Sequence, residues 1–285
     1  PPMSLNFGDL ELQIVSGGRL RIDGGNMFGV VPKLLWQRRC EPDDQNRIAM
    51  DCNCLLMSSP KGKTLIDTGY GSKGSDRQKR NHSLEEGNPI IDNLAAIGVA
   101  PEEITCVIFS HLHFDHAGGA TVRDENGDLR PAFPNARHIV QKDEWNDANA
   151  NLPELAGAYF PDDFKPIEHA GLLELVDGDT ELLSGISLKV TGGHTRGHQI
   201  VLIESGGQRA AFLADLCPLA VHLPTMWSMA YDQDPLRVRR TKPAILGQAA
   251  DNDSLLIFEH DPEIRAARIQ RDEKNGFTVR ETVAI

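Results

Sequence analysis

The chain has 285 residues, with 29 lysines and arginines against 41 aspartates and glutamates and a formal net charge of −12. Hydrophobic residues at 40% and charged residues at 25% describe an ordinary globular protein and exclude wholesale disorder, a fibrous repeat and a coiled coil. A surface this acidic repels phosphate backbones, and 6% aromatics leave few platforms for stacking bases, so no nucleic-acid partner is expected.

The N-terminal run Pro1-Pro2-Met3-Ser4-Leu5 has neither a basic stretch nor an apolar one, so it does not read as a secretory signal. Pro1 and Pro2 read as an addition ahead of Met3. The expectation is one domain over residues 1–285. From Leu10 onward, short apolar segments rich in β-branched residues predict strands over Leu10–Val15, Cys52–Ser58 and Thr64–Asp67. Loop-rich stretches at Met27–Asn46 and Tyr70–Asn88 separate them and are candidate lids. Cys52-x-Cys54 reads as small apolar residues alternating on a strand rather than as half a metal site. The five cysteines, Cys40, Cys52, Cys54, Cys106 and Cys217, are odd in number and scattered. They predict a reducing, cytoplasmic setting. No run of about 18 apolar residues occurs, so neither a transmembrane helix nor a membrane partner is expected.

Pro89–Ile97 carries apolar residues at helical spacing and stops at Gly98, and Pro101-Glu102-Glu103 opens a short turn. Strands follow over Cys106–Ser110 and His138–Gln141, then a helix over Asp143–Ala150. Further strands are predicted over Ile186–Thr191, Ile200–Glu204, Ala210–Leu213 and Leu255–Phe258. Asp234-Pro235 opens a basic helix that Pro243 should kink or break. Asp261-Pro262 predicts another helix, to about Arg271, and Gly276–Val283 a last strand. Many strands succeed one another directly, which points to a mixed α/β sandwich rather than a doubly wound parallel sheet.

The chemistry concentrates in Ser110-His111-Leu112-His113-Phe114-Asp115-His116-Ala117-Gly118-Gly119, with four ligand-type residues in six positions. While the chain leaving the strand is still extended, residues two apart point the same way, so His111 and His113 can share one metal ion. The following turn aims Asp115 and His116 at a neighbouring point. His194, Asp215 and His260 each lie just past the end of another predicted strand, the usual way α/β folds deliver polar groups to one sheet edge. Together they predict a metal site. His198 reads equally as a support behind His194 and as a cap. His222 and Tyr231 are candidate pocket residues, whereas His82, His138 and His169 read as surface or structural. Met27, Phe28, Trp36, Met226, Trp227 and Met229 are candidates for an apolar groove.

This pattern resembles the metallo-β-lactamase superfamily over nearly the whole chain. The resemblance implies a four-layer αβ/βα sandwich with a dinuclear metal site at one edge. It implies that His111, His113 and His194 hold one ion, that Asp115, His116 and His260 hold the other, and that Asp215 bridges both beside a hydroxide. Asp67, in Leu65-Ile66-Asp67-Thr68-Gly69, matches the aspartate that orients the histidine loop. An Asp at 215, where true metallo-β-lactamases carry Cys or Ser, turns the expectation away from lactams. The segments Gly24–Trp36, Asp67–Gly71 with Gln78–Asn81, and Met229–Asp232 are similar to quorum-quenching lactonases of the YtnP type. One departure is Pro218, where better-known acyl-homoserine lactonases carry a Tyr three residues after the bridging Asp.

The implied activity is hydrolysis of N-acyl-homoserine lactones, with hydroxide attack and Asp115 and Asp215 as the catalytic carboxylates. Asp115 is both a ligand and a proton shuttle. All donors are N and O, so ligand softness does not single out one metal; zinc leads, and iron, manganese or cobalt are alternatives. The implied partner is a small-molecule substrate, and the resemblance admits a homodimer. The rival enzymatic reading is hydrolysis of a thioester, aryl ester, phosphotriester or phosphodiester. A single-iron, oxygen-using relative is another. The non-enzymatic rival is a metal-stabilised binding or sensor protein.

Overall fold

The computed structural model describes residues 3–285. Nine strands come first: β1 (Leu5–Phe7), β2 (Leu10–Asp23), β3 (Arg47–Ser59), β4 (Gly62–Ile66), β5 (Ile104–Ile108), β6 (Thr121–Arg123), β7 (Leu129–Pro131), β8 (Arg137–Gln141) and β9 (Leu173–Val176). Seven of them form one sheet in the order β1-β2-β3-β4-β5-β8-β9, while β6 and β7 pair separately. A second sheet holds β10 (Thr180–Leu183), β11 (Ile186–Val190), β12 (Gln199–Ser205), β13 (Gln208–Phe212), β14 (Leu255–Ile257), β15 (Ala266–Asp272) and β16 (Gly276–Thr282), in chain order. The helices are α1 (Gly24–Phe28), α2 (Lys33–Trp36), α3 (Asp76–His82), α4 (Pro89–Ala96), α5 (Phe114–Ala117), α6 (Lys142–Asn149), α7 (Lys165–His169) and α8 (Pro235–Asp251).

The buried side chains sort into layers. Leu12, Ile14, Leu55, Ile66 and Ile108 of the first sheet meet Leu188, Val201, Phe212 and Ile257 of the second in one dry core. The opposite face of the first sheet packs Leu56, Leu65 and Val107 on Ile90 and Leu94 of α4 and on Trp145 of α6. The outer face of the second packs Ala211, Leu256 and Ile269 on Val238, Ile245 and Leu246 of α8. The order is therefore helix, sheet, sheet, helix. Burying each Leu, Ile or Phe stabilises by about 1.5–3 kcal/mol, which is why the central strands read as continuous apolar runs. Residues 51–57 of β3 are buried on both faces, so Cys52 and Cys54 sit in a fully covered strand rather than an alternating one. All five cysteines are free thiols.

Two expectations are corrected. The helix anticipated after Asp261-Pro262 is strand β15, paired with β14 and β16. Asp261 does cap a turn, accepting from the Glu263 and Ile264 amides, but Ala266, Ala267 and Ile269 then bury in the sheet core. Pro243 does not end its helix: α8 runs through it. Burial of Val238, Ile245 and Leu246 outweighs the one lost hydrogen bond. The loops at 27–46 and 70–88 contain the short helices α2 and α3.

Strands β4, β5 and β8 run parallel, as do β13 and β14. Their C-terminal ends open at one edge of the two sheets. Asp67 follows β4, the His111–His116 segment follows β5, His194 follows β11, Asp215 follows β13 and His260 follows β14. The backbone is tightly packed behind them. A Cβ on Gly118 would sit 2.3 Å from the Tyr70 carbonyl oxygen, and one on Gly119 would sit 2.0 Å from that of Thr68. Only glycine lets the turn after His116 lie against the Asp67 loop.

Candidate metal centre

His111, His116, His194, Asp215 and His260 are all buried, and His113 and Asp115 are half-buried. Four nitrogens and two oxygens define the geometry. Asp215 Oδ2 lies 3.0 Å from His194 Nε2 and 3.9 Å from His111 Nε2. Its Oδ1 lies 3.2 Å from His260 Nε2 and 3.6 Å from His116 Nε2. The two oxygens of one carboxylate thus face two different histidine pairs. His113 Nδ1 joins the first pair, 3.1 Å from His194 Nε2. Asp115 joins the second, 3.8 Å from both His116 Nε2 and His260 Nε2. Ligand atoms of His111, His113 and His194 lie within 4.8 Å of one another, and so do those of Asp115, His116 and His260.

Proton bookkeeping tests whether a metal ion fits. His116 Nδ1 is 3.0 Å from Asp67 Oδ2, His194 Nδ1 is 3.0 Å from Asp232 Oδ1, and His260 Nδ1 is 2.9 Å from the Asp51 carbonyl. Each partner accepts, so each ring carries its proton on Nδ1 and turns the bare Nε2 inward. Ser110 Oγ donates to Asp67, so it accepts from His111 Nδ1 at 3.0 Å and leaves His111 Nε2 bare as well. That nitrogen is buried without a hydrogen-bond partner. His260 Nε2 and His116 Nε2 face each other at 3.2 Å. Two bare lone pairs at that distance repel unless a cation lies between or beside them. The donor set therefore fits divalent ions, as carboxylate and imidazole ligands would.

Where no metal ion is bound, the carboxylates draw protons onto two of these rings in its place. Burial disfavours the cation at His194, yet Asp215 and Asp232 hold it up at about 10. Burial likewise opposes His116, but Asp215 and Asp115 carry it well above the usual imidazole range. At His111 and His113 burial dominates and pushes basicity well down. Burial opposes the charge on Asp215, but His194, His116 and His260 hold its carboxyl well below the ordinary range. The pocket demands positive charge at some points and bare nitrogens at others.

Supports outside the ligand-type residues hold this arrangement. Asp67 accepts from the Ser110 amide at 2.7 Å and its hydroxyl at 2.6 Å. His198 accepts from the Asp215 amide through Nε2 at 3.1 Å, and its Nδ1 meets Thr191 Oγ1 at 2.6 Å. Several contributors lie beyond what the sequence pattern points to. Glu144, on α6 and fully buried, accepts from the Leu112 amide at 2.9 Å and from Thr195 Oγ1 at 2.5 Å. It thereby ties the backbone between His111 and His113 to the residue after His194. Burial raises the Glu144 carboxyl, and the bonds from Thr195 and Leu112 oppose that. Asp232 falls within Met229–Asp232, but nothing in its spacing announces a partnership with His194. Glu259 is buried, 3.9 Å from His116 Nδ1, with neither oxygen hydrogen-bonded. Burial, then Asp67, raises its carboxyl well above the usual range.

A cavity of about 320 Å³ opens over the centre, lined by His113, Asp115, His194, Asp215 and His260 with Met27, Met50, Met229 and Tyr231. Residues 154–158 form one wall, which carried no sequence signal. Five expected pocket residues, Phe28, Trp36, His222, Met226 and Trp227, do not line the cavity. Phe28 stacks on Trp36 at 5.0 Å and on His222 at 5.1 Å, and meets Trp227 edge-on at 5.7 Å. Phe28, Trp36 and His222 are buried, and stacking consumes the faces a ligand would need. Conversely, His82 lines the cavity instead of standing apart from it. His138 is buried in the first sheet and His169 is exposed.

A helix–sheet–sheet–helix sandwich with two adjoining histidine–carboxylate clusters at one edge defines a metal-centre protein. Residues 47–260 match the model of the metallo-beta-lactamase superfamily, and the chain belongs to that superfamily. It is 33% identical over 163 residues to an N-acyl homoserine lactonase of Bacillus sp, a match covering 53% of this chain and 58% of the relative. The match thus spans little more than half of that relative's length. A probable metal-dependent hydrolase from Staphylococcus aureus is 32% identical, with a TM-score of 0.88 over 98% of this chain and 100% of its own. The dizinc quorum-quenching lactonase AidC, solved with its product N-hexanoyl-L-homoserine, shares the fold at 22% identity. Its TM-score is 0.81 over 100% of this chain and 98% of its own. Among the described residues no helix is long and apolar enough to cross a membrane.

Proposed function

We propose that this chain is a dinuclear-metal-dependent hydrolase that opens N-acyl-homoserine lactones. The observation that carries the reading is Asp215, whose two oxygens face separate histidine pairs. One ion would be held by His111, His113 and His194, the other by Asp115, His116 and His260, with Asp215 available to both. The nitrogen-and-oxygen donor set suits several divalent ions, and similarity to the dizinc lactonase AidC favours zinc among them. Similarity to named N-acyl homoserine lactonases supports the substrate class.

When bound, the ions supply Lewis acidity toward a carbonyl oxygen and lower the pKa of a water to near 7. The chain's own residues supply the rest. Asp67, Asp232 and the Asp51 carbonyl hold three imidazoles with Nε2 inward, so no reorganisation is needed at reaction time. Met27, Met50 and Met229 give the cavity an apolar wall for an acyl chain. Asp115 is the least covered carboxylate of the centre, its side chain 14% exposed, and it borders the cavity. Ring opening releases a strongly basic alkoxide, and Asp115 is placed to carry to it the proton given up by the attacking water.

The test is proton release on adding N-hexanoyl-homoserine lactone to purified protein with bound metal quantified. Ring opening that His116→Ala abolishes supports the reading. A chain carrying two ions that leaves the lactone intact but cleaves a thioester or phosphoester would redirect it within the hydrolases.

A further inference from the structure

Most polar groups on the cavity wall belong to the centre itself. Of those that do not, His82 and Tyr231 each have one hydrogen-bonding function occupied by the protein. His82, the last residue of α3, is half-buried and lies at a ring-centroid distance of 5.7 Å from Phe114, the residue between His113 and Asp115. Its Nδ1 is 3.3 Å from the Arg21 carbonyl. A carbonyl only accepts, so in the neutral ring the proton is on Nδ1 and Nε2 keeps a lone pair. No other hydrogen bond engages this ring among the described residues. The Tyr231 oxygen accepts from Asn26 Nδ2 at 2.9 Å. That bond occupies an acceptor position and leaves the phenolic proton free to donate. The cavity thus offers an acceptor from α3 and a donor from the loop before α8, both beside the metal-ligand residues.

A secondary amide presents the complementary pair, an N–H on one side and a carbonyl on the other. We propose that His82 Nε2 and the Tyr231 hydroxyl read the amide next to the lactone ring, accepting from its N–H and donating to its carbonyl. This rests on the lactonase reading and deepens it, because it separates N-acyl-amino lactones from plain alkyl lactones. The amide takes no part in bond breaking. The pair therefore binds ground state and transition state alike, and its loss falls on KM rather than kcat. Glu154 and Gln233 also border the cavity. Glu154 is exposed, and Gln233, whose backbone N–H goes to the His194 carbonyl, adds a side-chain amide to the lining.

The experiment measures kcat and KM for N-hexanoyl-homoserine lactone and for γ-decalactone, which lacks the amide. It compares the unaltered metal-loaded chain with His82→Phe, His82→Gln and Tyr231→Phe. His82→Phe keeps a ring beside Phe114 but removes the acceptor, while His82→Gln restores an acceptor oxygen near the position of Nε2. Bound metal and melting temperature are recorded for each. We expect His82→Phe and Tyr231→Phe each to raise KM for the acyl-homoserine lactone about five- to tenfold, one neutral hydrogen bond's worth. KM for γ-decalactone should stay within about twofold, and His82→Gln should recover most of the loss. Equal effects on both lactones, or none on either, overturn the pair while leaving the lactonase reading in place. A metal-loaded chain that opens neither lactone removes the lactonase reading, and the pair with it.

Discussion

Asp67 Oδ2 lies 3.0 Å from His116 Nδ1, and both side chains are fully buried. Asp67 also binds the Ser110 amide and hydroxyl, so one carboxylate sets the start of the ligand segment and the tautomer of its last histidine. Asp67→Ala is expected to weaken metal binding about 10–100-fold with the fold retained. Competition against a metallochromic chelator measures it. Unchanged affinity would mean the imidazole is held by packing alone.

Glu144 acts on the other side of the centre. Glu144→Ala leaves the Leu112 amide and the Thr195 hydroxyl without their partner, each inside the core. An unsatisfied buried group costs about 1–3 kcal/mol, so urea unfolding should register a loss of that order. Metal affinity should fall as well, because the His111–His113 and His194 backbones are no longer tied together. Glu144→Gln, which can still accept from the Leu112 amide, should fall between the two.

Metal removal should destabilise the chain in its own right. Without metal ions, imidazole nitrogens crowd at 3.1 Å and 3.2 Å beside the buried Asp215 carboxylate, and only protons can offset its charge. Excess chelator is expected to lower Tm, and added zinc to restore it in a concentration-dependent way. A Tm insensitive to both would contradict the metal centre.

His138 gives a pH prediction away from the centre. It is buried on β8 beside Phe109, with neither ring nitrogen hydrogen-bonded. Burial pushes its pKa from 6.5 to about 4. Between those values the unfolded chain binds a proton that the folded chain refuses, so stability falls as pH drops from 6.5 toward 4 and levels below. The shift corresponds to about 3 kcal/mol. His138→Leu should flatten the pH dependence in that window by about one proton. Some slope should remain, because burial also depresses His222, to about 3.

Lys242 holds the loop behind the cavity. Its buried ammonium donates to the carbonyls of His222, Pro224 and Trp227 at 2.7, 3.1 and 2.5 Å. Lys242→Met should cost about 3 kcal/mol or more by leaving those oxygens unpaired. It should raise KM through the Met229–Tyr231 wall while leaving metal stoichiometry intact. Chemical unfolding and metal analysis on the same sample separate the two effects.

The clustering of His111, His113, Asp115 and His116 was legible because these residues are nearly contiguous and sit at the end of an apolar strand, and the mixed α/β sandwich because its strands are short and β-branched. Other features depend on contacts that no local pattern encodes. Asp261-Pro262 carries a real capping signal, yet pairing with β14 and β16 overrides it and makes a strand of Ala266–Asp272. Phe28, Trp36 and His222 look like groove residues until their stacking is seen. Glu144 and Asp232 are ordinary acids in sequence, and only the fold brings them to Thr195 and His194. His82 reads as a surface or structural residue because its place in the cavity lining depends on how α3 lies against Phe114.

The most direct test of the two-metal lactonase account is proton release during turnover of N-hexanoyl-homoserine lactone by metal-loaded protein, with His116→Ala alongside. The account predicts ring opening by a chain carrying two divalent ions, reduced about a hundredfold or more by the substitution. An intact lactone in the presence of a chain that holds both ions would contradict it.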